Sequence, residues 1–239
     1  MKFYENLQSE IKKLAGNELD ETIHVVSART LSAKEAIGNP ERKDFPLLKG
    51  KEVMIEASFK GSKGQAYTNM PGNFSGLLGD IVQIPLATNF DRAVLVASLN
   101  AVMRSRGLIA NTTHCTDNEP EICAQQLSDT ISSSFGHPKI AFVGFQPAMI
   151  ASLSKSFKLR VIDLDEDNIG KEKFSILIEG PDNTESVLSW SDIILATGST
   201  CVNTTITRFL GKKPVIFYGV TISGIARAYG YERYCPCSH

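Results

Sequence analysis

Short apolar segments alternate with helix-like segments throughout the second half of the chain, and this alternation constrains the fold more than any other feature. The strand-like segments are Ile140–Val143, Leu159–Leu164, Ile193–Ala196 and Val215–Tyr218, with an expected edge strand at Phe174–Ile178. The helix-like segments between and after them are Pro147–Ser156, Cys201–Leu210 and Ile222–Tyr229. Strands that are apolar throughout are typical of parallel sheets with both faces covered. The second half therefore predicts a doubly wound parallel sheet of the Rossmann-like type in an α/β protein.

The first half has a different pattern. An amphipathic helix is predicted over residues 3–14, followed by strands at Thr22–Ala28, Val53–Phe59 and about Gln65–Asn69. A turn at Gly61–Gly64 is expected to join the last two strands as a hairpin. These segments, with a capped helix after Thr88, predict a small α+β domain with an antiparallel sheet.

A chain of 239 residues suits two modest domains better than one large core. The change from hairpin-like to alternating pattern places the boundary after residue 112. We therefore expect an α+β domain at residues 1–112 and a Rossmann-like domain at residues 113–239.

Composition excludes several classes of partner. The net charge of −1 provides no broad positive field for nucleic acid or an anionic membrane. The first residues lack the apolar core of a secretory signal, and five cysteines are not the framework of a disulfide-rich secreted domain. The sequence predicts a cytoplasmic protein with free thiols, and it leaves open whether the chain forms a homodimer.

Polar turns follow three of the predicted strands, at Gly144–Pro147, Thr197–Thr200 and Gly219–Gly224. Ligands of open parallel sheets bind beyond the carboxyl ends of the strands, where such turns meet. The alternative is that these hydroxyl groups serve only as helix caps. The predicted ligand-binding residues are Gly144, Asp163, Thr197, Gly198, Ser199, Asn203, Gly219 and Thr221.

Asp163 is expected at the end of the second parallel strand, about 20 residues after the first polar turn. An acidic residue there can bind a ribose hydroxyl. Pro147 removes an amide that a pyrophosphate would use, so ordinary dinucleotide binding is not expected. The alternative is that Asp163 only stabilises the turn at the strand end.

Two groups of residues have side chains that could bind a metal ion. Thiolate and imidazole prefer soft or borderline ions such as zinc, copper(I) or iron. The candidate ligands are His114, Cys115, Cys235, Cys237 and His239, with Cys123 near the first pair. A helix start near Asn118 would lower the pKa of a nearby thiol. The alternatives are packed, unligated cysteines and an unstructured tail.

Two further features have open interpretations. The loop Gly38–Pro46 carries four charged residues that form either a solvated rim or a lid over the cleft. Asn100 interrupts an apolar helix and needs a hydrogen-bond partner, which we expect in the core rather than in a ligand.

The C-terminal half resembles the domain family DUF364, which is linked to heavy-metal chelation. The resemblance rests on the segments Ile140–Pro147, Ala196–Thr205 and Val215–Thr221. It implies a Rossmann-like domain after a domain similar to the enolase N-terminal fold, with a ligand cleft between them. In that cleft Thr197, Ser199, Asn203 and Thr221 would contribute from the C-terminal side. Gln146 before a single proline departs from the family pattern.

Three functional hypotheses follow. The first is a cytoplasmic protein that binds a metal ion or an anionic metal-chelating small molecule in the cleft, with a transition metal of unknown identity as the cofactor. The second is a small-molecule transferase that binds a nucleotide-like cofactor such as S-adenosylmethionine through Asp163. The third, a scaffold without a small ligand, predicts a filled cleft. The sequence does not decide whether the chain is an enzyme.

Overall fold

The computed structural model describes residues 2–19, 28–50 and 52–239, and these ranges contain two sheets. The first has the strand order β3-β2-β1-β4 and is antiparallel throughout. Its strands are β1 (Ala28–Leu31), β2 (Val53–Phe59), β3 (Ser62–Thr68) and β4 (Asn73–Phe74). The helices of this half are α1 (Lys2–Ala15), α2 (Ala33–Ile37), α3 (Leu78–Ile81) and α4 (Asn89–Ser105). The antiparallel prediction is confirmed, although most of the predicted strand Thr22–Ala28 lies outside the described residues.

The hairpin between β2 and β3 is tighter than predicted. Phe59 pairs with Ser62, so Lys60 and Gly61 form a two-residue loop with φ of 49° and 77°. Gly64 therefore lies inside β3 rather than in the turn. A Cβ on Gly64 would lie 2.3 Å from the backbone nitrogen of Ala101, so this glycine lets β3 approach α4 closely.

The second sheet is mostly parallel, as predicted. Its strands are β5 (Lys139–Val143), β6 (Lys158–Ile162), β7 (Glu172–Lys173), β8 (Ile176–Glu179), β9 (Ile193–Thr197), β10 (Val215–Tyr218) and β11 (Glu232–Tyr234). Their order is β11-β10-β9-β5-β6-β8-β7, and β7 alone of the described strands in this sheet is antiparallel to its neighbour. The chain proceeds outward from β5 through β6 to β8, then returns to β9. The carboxyl ends of β5 and β9 therefore flank the point where the direction of winding reverses.

Both faces of this sheet are buried. Ile140 and Phe142 pack toward α5 (Glu119–Phe135) and α6 (Pro147–Leu153). Ala141 and Val143 share the opposite core with α7 (Thr184–Trp190), α8 (Ser223–Tyr229) and α4. Successive side chains of a strand point to opposite faces of the sheet, and helices cover both faces.

The predicted helix over Cys201–Leu210 is wrong. The segment instead forms 3₁₀ turns at Gly198–Cys201 and Ile206–Arg208. Asn203 Oδ1 accepts hydrogen bonds from the backbone N–H and the hydroxyl of Thr205, at 3.2 and 2.7 Å. Such a local side-chain bond competes with helical hydrogen bonding, and Thr204 has a φ of 69°.

Helix α4 connects the two halves of the molecule. It begins with the predicted capping box, in which Thr88 and Asp91 bond each other's backbone N–H groups. Asn100 is fully buried and donates to the carbonyl groups of Gln65 and Val220, while its Oδ1 accepts from the Gly224 N–H. The expected core hydrogen bond of Asn100 is confirmed.

Residues of both halves contribute to one core around α4, and the boundary after residue 112 stays a prediction. Within the described ranges, no helix combines the length and the apolar character needed to cross a bilayer.

Candidate functional site

A cavity of about 610 Å³ lies at the carboxyl ends of β5, β6, β9 and β10. The first half encloses it with Tyr67 and Thr68 of β3 and with Phe45 and Leu47 of the segment between α2 and β2. Among the predicted ligand-binding residues, those that line it are Gly144, Asp163, Thr197, Ser199, Asn203, Gly219 and Thr221. The polar turns that the sequence singled out therefore do converge on one space. That space is not filled by side chains, which the scaffold hypothesis had required.

Two glycines shape the turns that surround the cavity. Gly144 has a φ of 92°, and a Cβ there would lie 2.7 Å from Thr197 Cγ2. Gly198 does not line the cavity; a Cβ on it would lie 2.8 Å from the backbone nitrogen of Ile222. The role of Gly198 is therefore in packing. Because it has no side chain, the turn after β9 can lie directly against the loop after β10.

The hydroxyl groups after β9 are partly used by the protein itself. Thr197 Oγ1 and Ser199 Oγ lie 2.9 Å apart and share a hydrogen bond. The Thr200 hydroxyl donates to the Thr197 carbonyl at 2.7 Å. The capping interpretation applies to Thr197, whose Oγ1 accepts from the Ser199 N–H at 3.3 Å, but Thr197, Ser199 and Thr200 all line the cavity as well.

Thr221 joins the two sheets. Its buried hydroxyl oxygen accepts a hydrogen bond from the Tyr67 backbone N–H at 3.0 Å. Tyr67 was missed by the sequence analysis because it follows an ordinary strand pattern in β3. Its position in the cavity depends on how the first sheet docks against the loop after β10.

Among the described residues that line the cavity, those with carboxyl groups are Glu52, Asp163 and Asp165. Burial, followed by repulsion from Asp163 and Asp165, raises the pKa of Glu52 to about 7. Glu52 was also missed, since nothing in the sequence before β2 distinguishes it from a surface glutamate. Burial and neighbouring carboxylates likewise raise the pKa of Tyr67 and Tyr218 well above the ordinary range.

Asp163 lies directly after β6, as predicted. Its Oδ1 accepts hydrogen bonds from the Asp165 N–H at 2.8 Å and from Asn168 Nδ2 at 3.3 Å. Burial raises the pKa of Asp163, and these bonds oppose that rise. Asp163 thus stabilises its own turn and at the same time lines the cavity.

Positive charge is scarce in the cavity. Arg208 is the only lysine or arginine among the described residues that line the cavity. It lies next to the turn that holds Asn203 and Thr205. Burial lowers the pKa of His114 to about 4, so its imidazole is neutral near pH 7. His114 Nδ1 lies 2.5 Å from the Cys115 carbonyl, and as the donor there it leaves Nε2 as an acceptor.

Burial also decides the state of the thiols of Cys115 and Cys123. Burial raises the pKa of Cys123 to about 12 and that of Cys115 further, so the low thiol pKa proposed for the start of α5 is wrong. Cys115, Cys123 and Cys235 line the cavity, and the thiol of Cys237 interacts with that of Cys123. Within residues 2–19, 28–50 and 52–239, no three histidine, cysteine or acidic side chains converge in a group that could hold a metal ion.

The C-terminal segment is packed against the protein. Thr113 and His239 exchange backbone hydrogen bonds of 2.8 and 2.9 Å, and His239 Nε2 contacts Glu119 Oε2 at 3.0 Å. His239 and Cys237 therefore lie outside the cavity lining, whereas Cys235 is part of it.

The loop Gly38–Pro46 has two different parts. Its apolar end lines the cavity through Phe45 and Pro46. Its charged residues face a separate surface groove, where Arg42 contacts Asp44 and Glu121 at 3.0 and 3.4 Å. The charged residues of this loop therefore form a solvated rim, as one of the two interpretations predicted. Its apolar end covers part of the cavity.

Residues 127–230 match the family DUF364, described as "Putative heavy-metal chelation". Two crystal structures of proteins of unknown function from the DUF364 family have a similar fold. The one from Pyrococcus horikoshii is 16% identical, with a TM-score of 0.55, and the match covers 91% of this chain and 78% of that one. The one from Desulfitobacterium hafniense is 12% identical, with a TM-score of 0.52 and coverage of 96% and 84%. No curated protein sequence matches this chain significantly.

Proposed function

Residues 127–230 form a DUF364 domain, and from this premise we propose that the chain binds an anionic metal-chelating small molecule in the cavity between its two sheets. The observation that carries the proposal is the convergence of four strand-end loops on one space of about 610 Å³. A volume of this size suits a small organic molecule rather than a bare ion.

The anionic groups of such a ligand have a defined place to bind. Thr197 and Ser199 present hydroxyl groups, and Arg208 supplies a guanidinium that can hold a carboxylate through two hydrogen bonds. Asn203 lines the same side of the cavity. These residues follow β9, at the point where the winding of the parallel sheet reverses.

The side chains of the described residues do not form a site for a resident metal ion. The thiols of Cys115 and Cys123 are buried and protonated, and His239 contacts Glu119 away from the cavity. A metal ion is therefore proposed to enter with the chelator that binds it. The five unpaired cysteines are in keeping with the reducing environment of the cytoplasm, where we place the protein.

The proposal is tested by thermal denaturation of anaerobically purified protein with nitrilotriacetate, alone and loaded with Ni²⁺ or Zn²⁺. We expect a rise in Tm that grows with ligand concentration. The variant Arg208→Gln should weaken binding about tenfold, because a charge-assisted hydrogen bond to a carboxylate is lost. Arg227→Gln, which changes an exposed arginine of α8, serves as the matched control.

No stabilisation by the chelator or its metal complexes would refute the proposal. Equal weakening in both arginine variants would refute the role of Arg208. Elemental analysis of the purified protein shows whether a metal is present without added chelator.

S-adenosylmethionine binding is a second candidate, favoured by the place of Asp163 at the end of β6, beside β5. Titration with S-adenosylmethionine should then give saturable binding that Asp163→Ala abolishes. Absence of binding to the unaltered protein removes this candidate.

A further inference from the structure

One side of the cavity is acidic, and its carboxyl groups come from both halves of the chain. Glu52 precedes β2 of the antiparallel sheet, whereas Asp163 and Asp165 follow β6 of the parallel sheet. The docking of the two sheets therefore brings these groups together.

Glu52 lacks a compensating partner within the described part of the chain. Its side chain is half-buried and lines the cavity, and burial and two carboxyl neighbours act on it without a hydrogen bond from a described residue. The neighbouring charges that act on it, from Asp163 and Asp165, are both negative. A carboxylate removed in large part from water, beside two further carboxyl groups and without a donor, is costly, so its place in a ligand-sized cavity indicates that the bound molecule supplies the partner.

Two aromatic residues complete this side. Tyr67 and Tyr218 line the cavity and are close enough to Glu52 to sense its charge. The Tyr218 hydroxyl donates to the Val143 carbonyl at 2.9 Å and also bonds the side chain of Thr197, so the ring is held in place at the cavity wall. Carboxylates and aromatic rings are the groups with which proteins bind organic cations.

We infer that the ligand carries an ammonium group that binds between Glu52 and Asp163, which makes it an aminocarboxylate. The inference rests on the proposed function, because the carboxylates of the same ligand are assigned to Arg208 and to the hydroxyl groups of Thr197 and Ser199. An organic ammonium fits this acidic side of the cavity better than a metal ion bound directly by the protein. The described residues place no three metal-ligating side chains together.

The test compares two tricarboxylates that differ in one atom. Nitrilotriacetate has a central amine, protonated near pH 7, and methanetriacetate has a C–H in its place. Isothermal titration without metal should show that the protein binds nitrilotriacetate at least about tenfold more tightly than methanetriacetate. Glu52→Gln should remove this preference, because the amide is neutral and holds the ammonium only weakly.

Glu41→Gln is the matched control. It makes the same chemical change on an exposed residue that does not line the cavity, and it should keep the preference. Proton release provides a second readout. Since Glu52 is partly protonated near pH 7, ammonium binding beside Asp163 and Asp165 should release protons, which titration in two buffers of different ionisation enthalpy detects.

The outcomes separate the two proposals. Equal affinity for both compounds, or a preference that Glu52→Gln leaves unchanged, overturns the ammonium site while the cavity remains a binding site for anionic chelators. Failure of both compounds to bind overturns the proposed function and the inference with it.

Discussion

Replacement of Glu52 by glutamine should stabilise the folded protein at neutral and alkaline pH. The carboxyl is enclosed beside Asp163 and Asp165, and its pKa of about 7 lies well above the ordinary value of 4.5. A group that binds its proton more tightly in the folded state opposes folding once it must ionise. Glutamine keeps the shape of the side chain without the charge.

The size of the effect follows from the pKa. Each pKa unit corresponds to about 1.4 kcal/mol, so an ionised Glu52 costs about 3 kcal/mol at pH 8. Below the unfolded-state pKa the carboxyl is protonated in both states, and the cost is absent. The penalty develops as pH rises from about 4.5 to about 7 and is complete above that window.

Urea denaturation at pH 5 and pH 8 measures the difference. Glu52→Gln should match the unaltered protein within about 1 kcal/mol at pH 5 and exceed it by about 3 kcal/mol at pH 8. Glu41→Gln controls for the loss of one surface carboxyl. A Glu52→Gln protein whose advantage is the same at both pH values would show that the Glu52 carboxyl is not held in an unfavourable environment.

Three other predictions concern the packing of the two halves and the state of the thiols. Asn100→Leu should lower the free energy of unfolding by about 3–5 kcal/mol, because it leaves buried backbone groups unpaired. Ser98→Ala removes a hydrogen bond within α4 and should lower it by under about 1 kcal/mol. Similar urea midpoints for the two variants would contradict this prediction. Gly64→Ala should cost about 3 kcal/mol or prevent folding, because its Cβ overlaps the α4 backbone, and an unchanged Tm would show that β3 and α4 are farther apart. Cys237 should react with a thiol reagent in the native protein and the fully buried Cys201 only on unfolding, so rapid native labelling of Cys201 would be the contrary result.

Glu52 connects the stability and binding predictions. The same substitution is expected to make the protein more stable and to remove its preference for an amine. Residues that lower stability and promote binding in this way are characteristic of functional sites. If Glu52→Gln stabilised the protein without any change in ligand preference, Glu52 would be a source of strain only.

Local patterns in the sequence were sufficient for much of the fold. The continuous apolar character of segments such as Ile140–Val143 indicated strands buried on both faces, and Thr88 with Asp91 indicated the start of α4. These features depend on residues close together in the chain. The convergence of the turns after β5, β9 and β10 also followed from sequence, because parallel strands place their carboxyl ends at one edge.

Other features depended on contacts between distant residues. The strand β11 has little apolar character, and its position beside β10 is set by pairing rather than by pattern. Gly64 resembles a turn glycine until α4 is placed against it. The segment after Cys201 has helix-like spacing, but the side chain of Asn203 binds Thr205 instead.

The sequence by itself indicated the antiparallel and parallel halves of the chain and the edge of the parallel sheet at which the polar turns meet. The tertiary structure alone decided the chemistry of that cavity. Glu52 and Tyr67 enter it from the first sheet, and burial keeps the thiols of Cys115 and Cys123 protonated. The physical reason is that helix caps and apolar strand patterns depend on residues near each other in the chain, whereas the pKa of a side chain depends on whatever the fold packs around it.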